Sequence, residues 1–500
     1  MGVELMLKFT KDTWVVFCLL AFAFGYFYQN PGWNGNSRIA LSFAIVQEGR
    51  LTIDSYHNNQ ELGLATGDKA FFNGHYYTDK AIGSSIIGAI VYLPIYWIGK
   101  IFGLSLSTDL IRHLITFFGL GVPSAFCGSL IYLVCEYISG SRFRSFVVTA
   151  AVSLGTISFP FSVIFFGHQL AATALFGAFF LIFRIQVLAD PGRSSRSFWV
   201  GLMMGMAIII EYPAAIIVFL LILYFFYVLW RKKQFTFNRA VLFPALGGLL
   251  PILVMVLYNL ACYQKPFVSG YEFLIFQPYL EGMSNGFFGI GRPSLRVLFF
   301  QTFHPAVGIF WFSPVLLMTF VGAFYMLRGK KYIPEMLLAG LGALGFLVMN
   351  SGYFLWWGGN SFAPRSLIPM LPFLCLPLIF VPRKIFILVV ILAVISIVQM
   401  TVASASDIKA PDANLENLKK LGVFDFSMLY SYLLPHLIDG GFSWNLGIWL
   451  GLKQWASLAP LAAAFITASG YMSGIFNAFK KRIKTPRDNH SPPIAEGGGE

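Results

Sequence analysis

Long apolar runs broken by short basic clusters set the pattern of this chain. Apolar residues dominate 13–29, 81–99, 108–137, 198–211, 213–230, 240–260, 305–327, 333–349, 367–381, 385–404 and 453–476. A helix needs about 20 such residues to cross a bilayer, so the runs predict membrane spans. Between them stand Lys8 and Lys11, Arg142 and Arg144, Arg193 and Arg196, Arg231 with Lys232 and Lys233, Arg328 with Lys330 and Lys331, Arg383 and Lys384, then Lys480, Lys481, Arg482 and Lys484. Basic loops stay cytoplasmic, so the runs between them must cross in pairs. Residues 198–211 go out and 213–230 return, and the later runs pair in the same way.

The first third breaks this parity, because 13–29, 81–99 and 108–137 all lie between Lys11 and Arg142. We expect 81–99, which holds Gly83, Gly88 and Pro94, to re-enter or lie on the surface rather than span. The alternative makes 108–137, broken by Gly119, Gly121 and Pro123, a hairpin. The expected fold is an all-α polytopic membrane protein with about twelve transmembrane helices and both termini inside. Surface or re-entrant helices belong to a long first external loop, 30–80. The expected division is a transmembrane catalytic region 1–404, a polar external segment with the last span 405–484, and a cytoplasmic tail 485–500 expected to be disordered.

Composition agrees. Hydrophobic residues make up 57% of the 500 and charged ones 11%, against about 25% charged in soluble domains. A cytosolic globular enzyme is thereby ruled out. The net charge of +13 reflects the basic loops, so no nucleic-acid partner is expected. The cysteines at 18, 127, 135, 262 and 375 fit no metal or disulfide spacing.

The first loop carries most of the polar material. Residues 36–48 have helical apolar spacing, as a short amphipathic helix on the membrane surface would. After them come Asp54, His57, Glu61, Asp68, His75, Asp79 and Lys80. Ionisable groups within apolar runs are costly and so informative. His168, Glu211, His304 and Arg365 stand near the loop-side ends of spans, and all four map to one face. The stretch YFLWWGGNSFAPRSLIP, 353–369, sets Trp356 and Trp357 before Arg365. An arginine fork suits a phosphate. Arg112 and Glu136 sit at the ends of one run and are read as structural.

These features resemble the C-type polytopic glycosyltransferases (GT-C fold), the group that includes protein O-mannosyltransferases and lipid A aminoarabinose transferases. The resemblance covers about residues 12–380. A first span leads to a long external loop with a surface helix. That loop ends in Tyr76-Tyr77-Thr78-Asp79-Lys80, similar to the family's Tyr-x-x-Lys-Pro element. A later arginine, Arg365, precedes a span with Pro369 and Pro372. The resemblance implies that Lys80 engages a lipid phosphate and that Arg365 lies near the same head group. His168 falls where relatives often place an Asp, and Glu211 where they often show a Thr-Lys-Gly turn. Relatives usually carry an acid at the start of the surface helix. Here that place reads Gly35-Asn36-Ser37-Arg38. Either the base has moved to Asp54 or Asp79, or the chain no longer catalyses.

The implied reaction moves a sugar, with inversion, from a polyprenyl-phosphate donor to an envelope acceptor: a glycolipid, polysaccharide or protein. Asp54 is the expected base, followed by Asp79, with Lys80 and Arg365 on the phosphate. Arg38, Tyr76, Tyr77, His168, Glu211, Trp356 and Trp357 would line the substrate pocket. A membrane lipid is a further expected partner. No cofactor is expected. Asp54, His57, Glu61, His75 and Asp79 include divalent-metal ligand types, but their spacing fits no established pattern. A bacterial inner membrane is expected, with the site facing the periplasm. The rival readings are a lipid-linked sugar transporter or flippase, and a non-catalytic envelope-polymer assembly protein.

Overall fold

A computed structural model describes residues 7–188, 194–359, 361–408 and 427–475. Residues 409–426 of the expected polar external segment and the whole tail 485–500 lie outside the described residues. The chain is helical almost throughout, as its apolar runs require. Among the described residues, seven helices are long and apolar enough to cross a membrane. The elements that frame the site begin with α1 (Lys11–Tyr26) and α2 (Gly32–Phe43). A hairpin follows, β1 (Lys69–Phe72) and β2 (His75–Thr78). Then come α3 (Gly83–Phe102), α4 (Thr108–Ser139), α5 (Arg142–Leu154) and α6 (Gly167–Val187). After these run α7 (Ser194–Ile210), α8 (Tyr212–Arg231), α9 (Asn238–Tyr263) and α10 (Ile333–Ser351). The hairpin is a small two-stranded sheet in an otherwise helical protein, consistent with the all-α expectation.

Burial separates inner helices from outer ones. In α4 and α6, 67% of the apolar window is buried, against 17% in α9. Phe176, Phe179 and Phe183 on α6 are wholly buried and form the centre of the core with Phe373. The outer α9 turns Leu246, Leu249, Leu253 and Leu257 outward, each more than half exposed, as a lipid-facing helix would. It packs on α7 through small residues. A Cβ on Gly201 would come within 1.9 Å of Pro244 O, and one on Gly205 within 2.4 Å of Gly248 O. Such backbone approach is how membrane helices gain packing without a hydrophobic drive.

The first two basic clusters meet at one end. Arg142 pairs with Asp12 at 2.5 Å, and Arg144 donates to Ile379 O and Val381 O. Hence α1 and α4 run in opposite directions, and Lys11 and Arg142 share an end. Helix α3 is long enough to span, but its contacts put it elsewhere. It lies beside α2 in the same direction: Arg38 meets Ser84, Ser42 meets Ser85, and Phe43 stacks on Tyr92. Its first turn touches Ile210. Only five residues separate its end from α4, where Asp109 accepts from Tyr28 and Arg112 donates to Gly63 O. Both ends of α3 therefore stay at the loop end of the molecule. Its outer face shows Ile90, Trp97, Ile101 and Phe102, each at least half exposed. The hairpin alternative for 108–137 is replaced by one continuous helical segment of 32 residues, about 48 Å long. The expected surface helix 36–48 forms, but Gly35 to Ala44 are buried under α3 and the loop rather than exposed to lipid.

Candidate functional site

The hairpin builds the first half of the site. Asn73 and Gly74 form its turn with φ of 49° and 84°, the backbone that a two-residue hairpin with right-twisted strands needs. That turn sets the register, pairing Phe72 with His75 and Lys69 with Thr78. One step further out, Asp68 faces Asp79. Lys80 Nζ lies 3.0 Å from Asp68 Oδ2 and 2.8 Å from Asp79 Oδ2, and sits 5.5 Å from the Tyr271 ring centre. The three side chains are 8%, 8% and 1% exposed. Among the described residues, Asp79 Oδ1 is buried with no hydrogen-bond partner.

Two carboxylates on one ammonium leave one negative charge in excess. Burial, aided by the Asp68 charge, pushes the Asp79 carboxyl up to about 6, against the pull of Lys80. Burial alone would lower the Lys80 ammonium, but the two carboxylates outweigh it and raise it instead.

The second half is a chain of charges from three helices. Arg38 on α2 is 1% exposed. It donates to Glu211 Oε1 at 2.8 Å and to Ser84 Oγ at 2.9 Å. Ser37 joins Thr78 at 2.7 Å, which ties α2 to the hairpin. Glu211 occupies an extended residue between α7 and α8 (φ −148°, ψ 115°). Its other oxygen is 3.8 Å from His168 Nδ1 on α6. Gly167 makes this approach possible, because a Cβ there would lie 2.2 Å from Glu211 Oε1. Arg365 stacks over Phe166 at 5.0 Å and donates to Ser361 Oγ at 2.7 Å and to Gly358 O. Among the described residues it has no carboxylate partner.

These groups share one field. His168, Arg38, Lys80 and Arg365 all act on Glu211. Tyr353 is acted on by Lys80, Arg365 and Glu211, and Tyr279 by Asp68, Arg365 and Lys80. Thus Arg38, Asp79, Lys80, His168, Glu211 and Arg365 lie near one another in the structure. Asp68, Tyr271, Tyr279 and Tyr353 join them without having been singled out. The Asn-Gly turn and its register would have found Asp68; the tyrosines have no comparable signal.

The remaining expected residues lie apart. Asp54 holds the far edge of the hairpin, accepting from Tyr76 N at 2.7 Å and pairing with His75 at 2.8 Å. Tyr76 stacks on His57 at 3.8 Å, and Tyr77 packs against Tyr263 at 5.3 Å. Trp356 and Trp357 belong to a small apolar cluster with Val297 and Phe300. His304 stacks on Phe300 at 4.1 Å and accepts from Ala306 N. Among the described residues no group of three or more His, Cys, Asp or Glu could hold a metal ion.

The arrangement is a multi-pass helical membrane protein with a charged, aromatic-walled site at one end. No family model matches the chain, and no curated protein matches it. Among solved structures it is similar to ArnT from Cupriavidus metallidurans, a crystal structure bound to undecaprenyl phosphate. Identity is 13% over 95% of this chain and 80% of that one, and the TM-score is 0.41, too low to carry the fold across.

Proposed function

We propose that the chain is a membrane glycosyltransferase that moves a sugar, with inversion, from a polyprenyl-phosphate donor to an acceptor hydroxyl at the loop end. The observation that supports it is the Asp68–Lys80–Asp79 cluster, in which a buried carboxylate has one oxygen without a partner. A base works best with a pKa near the working pH, and Asp79 is pushed up to about 6. In the proposed step the acceptor oxygen bonds to the anomeric carbon from the face opposite the phosphate. The carbon–oxygen bond to the phosphate breaks, and its electron pair leaves on the phosphate. The acceptor proton goes to Asp79 Oδ1.

That proton has a second use. Once Asp79 is neutral, the cluster goes from a net charge of one negative to zero, which removes a repulsion from the departing phosphate. Arg365, with no carboxylate of its own, supplies the standing cation for the phosphate oxygens. Tyr271, Tyr279 and Tyr353 wall the place where the sugar ring would lie. Arg38 and Glu211 neutralise each other and position His168.

The test is transfer of label from a radiolabelled polyprenyl-phosphate sugar to envelope acceptors by purified protein. Native protein should form product. Asp79→Asn should lose roughly 10²- to 10⁴-fold in rate while remaining folded. Arg365→Met should raise KM for the donor more than it lowers kcat. A native protein that relocates donor across the bilayer without making product is a flippase, and the proposal fails.

A further inference from the structure

The other end of the molecule holds a cavity of about 790 Å³, within the usual size of a small-molecule site. Arg231, Lys232, Lys330 and Lys331 rim it, with Tyr227, Tyr332 and Phe380 in its walls. Arg231 donates to Tyr227 OH at 2.7 Å, and the four cations are exposed. Among the described residues none of the four has an ion pair. Gln186 and Glu335 line it too, beside apolar residues such as Ile138 and Val228. Glu335 is 0% exposed. Its Oε1 accepts from Tyr224 OH at 2.7 Å, and its Oε2 is buried with no partner. Lys330 and Tyr332, on either side of the rim, have φ of 51° and 55°. Non-glycine residues held there cost about 1 kcal/mol or more, and such strain gathers at ligand clamps.

Cations at the mouth and a lone carboxylate within ask for a ligand with an anion at one end and a cationic donor at the other. A buried carboxylate is expensive until it is paired. Trp230 and Phe235, close in sequence to Arg231 and Lys232, and Phe324 and Leu327, close to Lys330, are 49–72% exposed, and Trp at a span end marks the headgroup level. A ligand there can keep acyl chains in the bilayer. We propose that this cavity binds a phospholipid with a primary-amine head group, phosphate on Arg231, Lys232, Lys330 and Lys331, ammonium on Glu335 Oε2.

The experiment titrates the purified full chain with dihexanoyl phosphatidylethanolamine, the phosphatidylcholine and phosphatidylglycerol of equal chain length, and inorganic phosphate, and measures Kd by calorimetry. The ethanolamine lipid should bind saturably and about tenfold more tightly than the choline lipid, whose methylated nitrogen cannot donate to Glu335. Glu335→Gln should shrink that preference to about twofold. Lys330→Gln with Lys331→Gln, both exposed, should weaken both lipids about tenfold. Equal affinity for the ethanolamine and choline lipids overturns the proposal in the native chain alone, so it stands or falls even if Glu335→Gln does not fold. Phosphatidylglycerol binding as tightly as the ethanolamine lipid overturns the ammonium assignment. Inorganic phosphate binding as tightly as the lipids makes the cavity a site for a free anion. Saturable binding that survives loss of both lysines places the site elsewhere.

Discussion

Helices α8 and α10 connect two charged regions that solve the burial problem in opposite ways. Glu211 precedes the start of α8 and Tyr353 follows the end of α10, beside the hairpin site. Arg231 ends α8 and Glu335 lies in the first turn of α10, at the basic cavity. The helices are 20 and 19 residues long, so about 30 Å separates the regions. At the loop end each buried cation is paired: Arg38 with Glu211, Lys80 with Asp68 and Asp79. At the basic end the cations stand in solvent and one carboxylate is buried without any of them. The first arrangement is dry and preorganised, as chemistry requires. The second is incomplete, as a binding site for an outside partner would be.

The largest break in this comparison is Lys80→Met, which leaves Asp68 and Asp79 together in a nearly dry place. Removing one partner of a buried ion cluster costs about 3–5 kcal/mol. It should appear as a lower melting temperature in detergent, and adding Asp79→Asn should restore more than half of it. An unchanged melting temperature for Lys80→Met would mean the cluster is solvated.

The next effect is a pH dependence. Burial pushes the Asp79 carboxyl up to about 6 in the folded chain, above the ordinary value of about 3.9 for an aspartate. Between those values the folded chain keeps a proton that the unfolded chain has released. Stability should therefore fall as pH rises through that window, by up to about 3 kcal/mol, and level off above about 6. Transfer should run the other way, failing as pH drops below about 6, because the base must be ionised. Denaturant midpoints across pH 4–7 check this, and the slope should vanish in Asp79→Asn.

Smaller again is Gly167→Ala, whose Cβ would lie 2.2 Å from Glu211 Oε1. Displacing that carboxylate from Arg38 should cost about 1–3 kcal/mol and lower kcat with little change in donor KM. At the opposite end, Glu335→Gln should leave stability within about 1 kcal/mol or raise it, since it removes a buried charge with no cation beside it. A large loss there would mean that Glu335 has a counter-charge inside the protein, and the contrast between the two ends would weaken.

Much of this was written in the chain. The alternation of basic clusters with apolar runs leads us to expect those clusters at one end, but not the Asp12–Arg142 pair or the cavity lined by Arg231 and Lys330. Costly ionisable residues at span ends marked Glu211, His168 and Arg365. What escaped notice was local. Lys69–Phe72 and His75–Thr78 are short and sit among acids, so the loop read as irregular, yet Asn73-Gly74 is a hairpin signal. Once that turn is placed, Asp68 must face Asp79, while Asp54 falls on the outer edge. Helix α3 shows the limit of hydropathy alone: length and composition suit a span, and in the sequence only the parity of the basic clusters argues against one. The tyrosines at 271, 279 and 353 come from segments far apart in sequence, and no spacing links them.

The finest distinction lies within the first loop, between Asp54 and Asp79. Asp54 is 34% exposed in its side chain, and its carboxyl is held below the ordinary value. Burial alone would raise it, but the Tyr76 N–H and His75 bond its ionised form and prevail. A carboxylate already satisfied by two donors makes a weak base, whereas Asp79 keeps a free oxygen and a raised pKa. Asp54→Asn retains an acceptor for the Tyr76 N–H, so stability should change by about 0.5 kcal/mol or less and transfer by no more than about twofold. Loss of transfer in a folded Asp54→Asn protein, with Asp79→Asn still active, would move the base to the exposed edge of the hairpin and dissolve the contrast between a dry catalytic end and an open binding end.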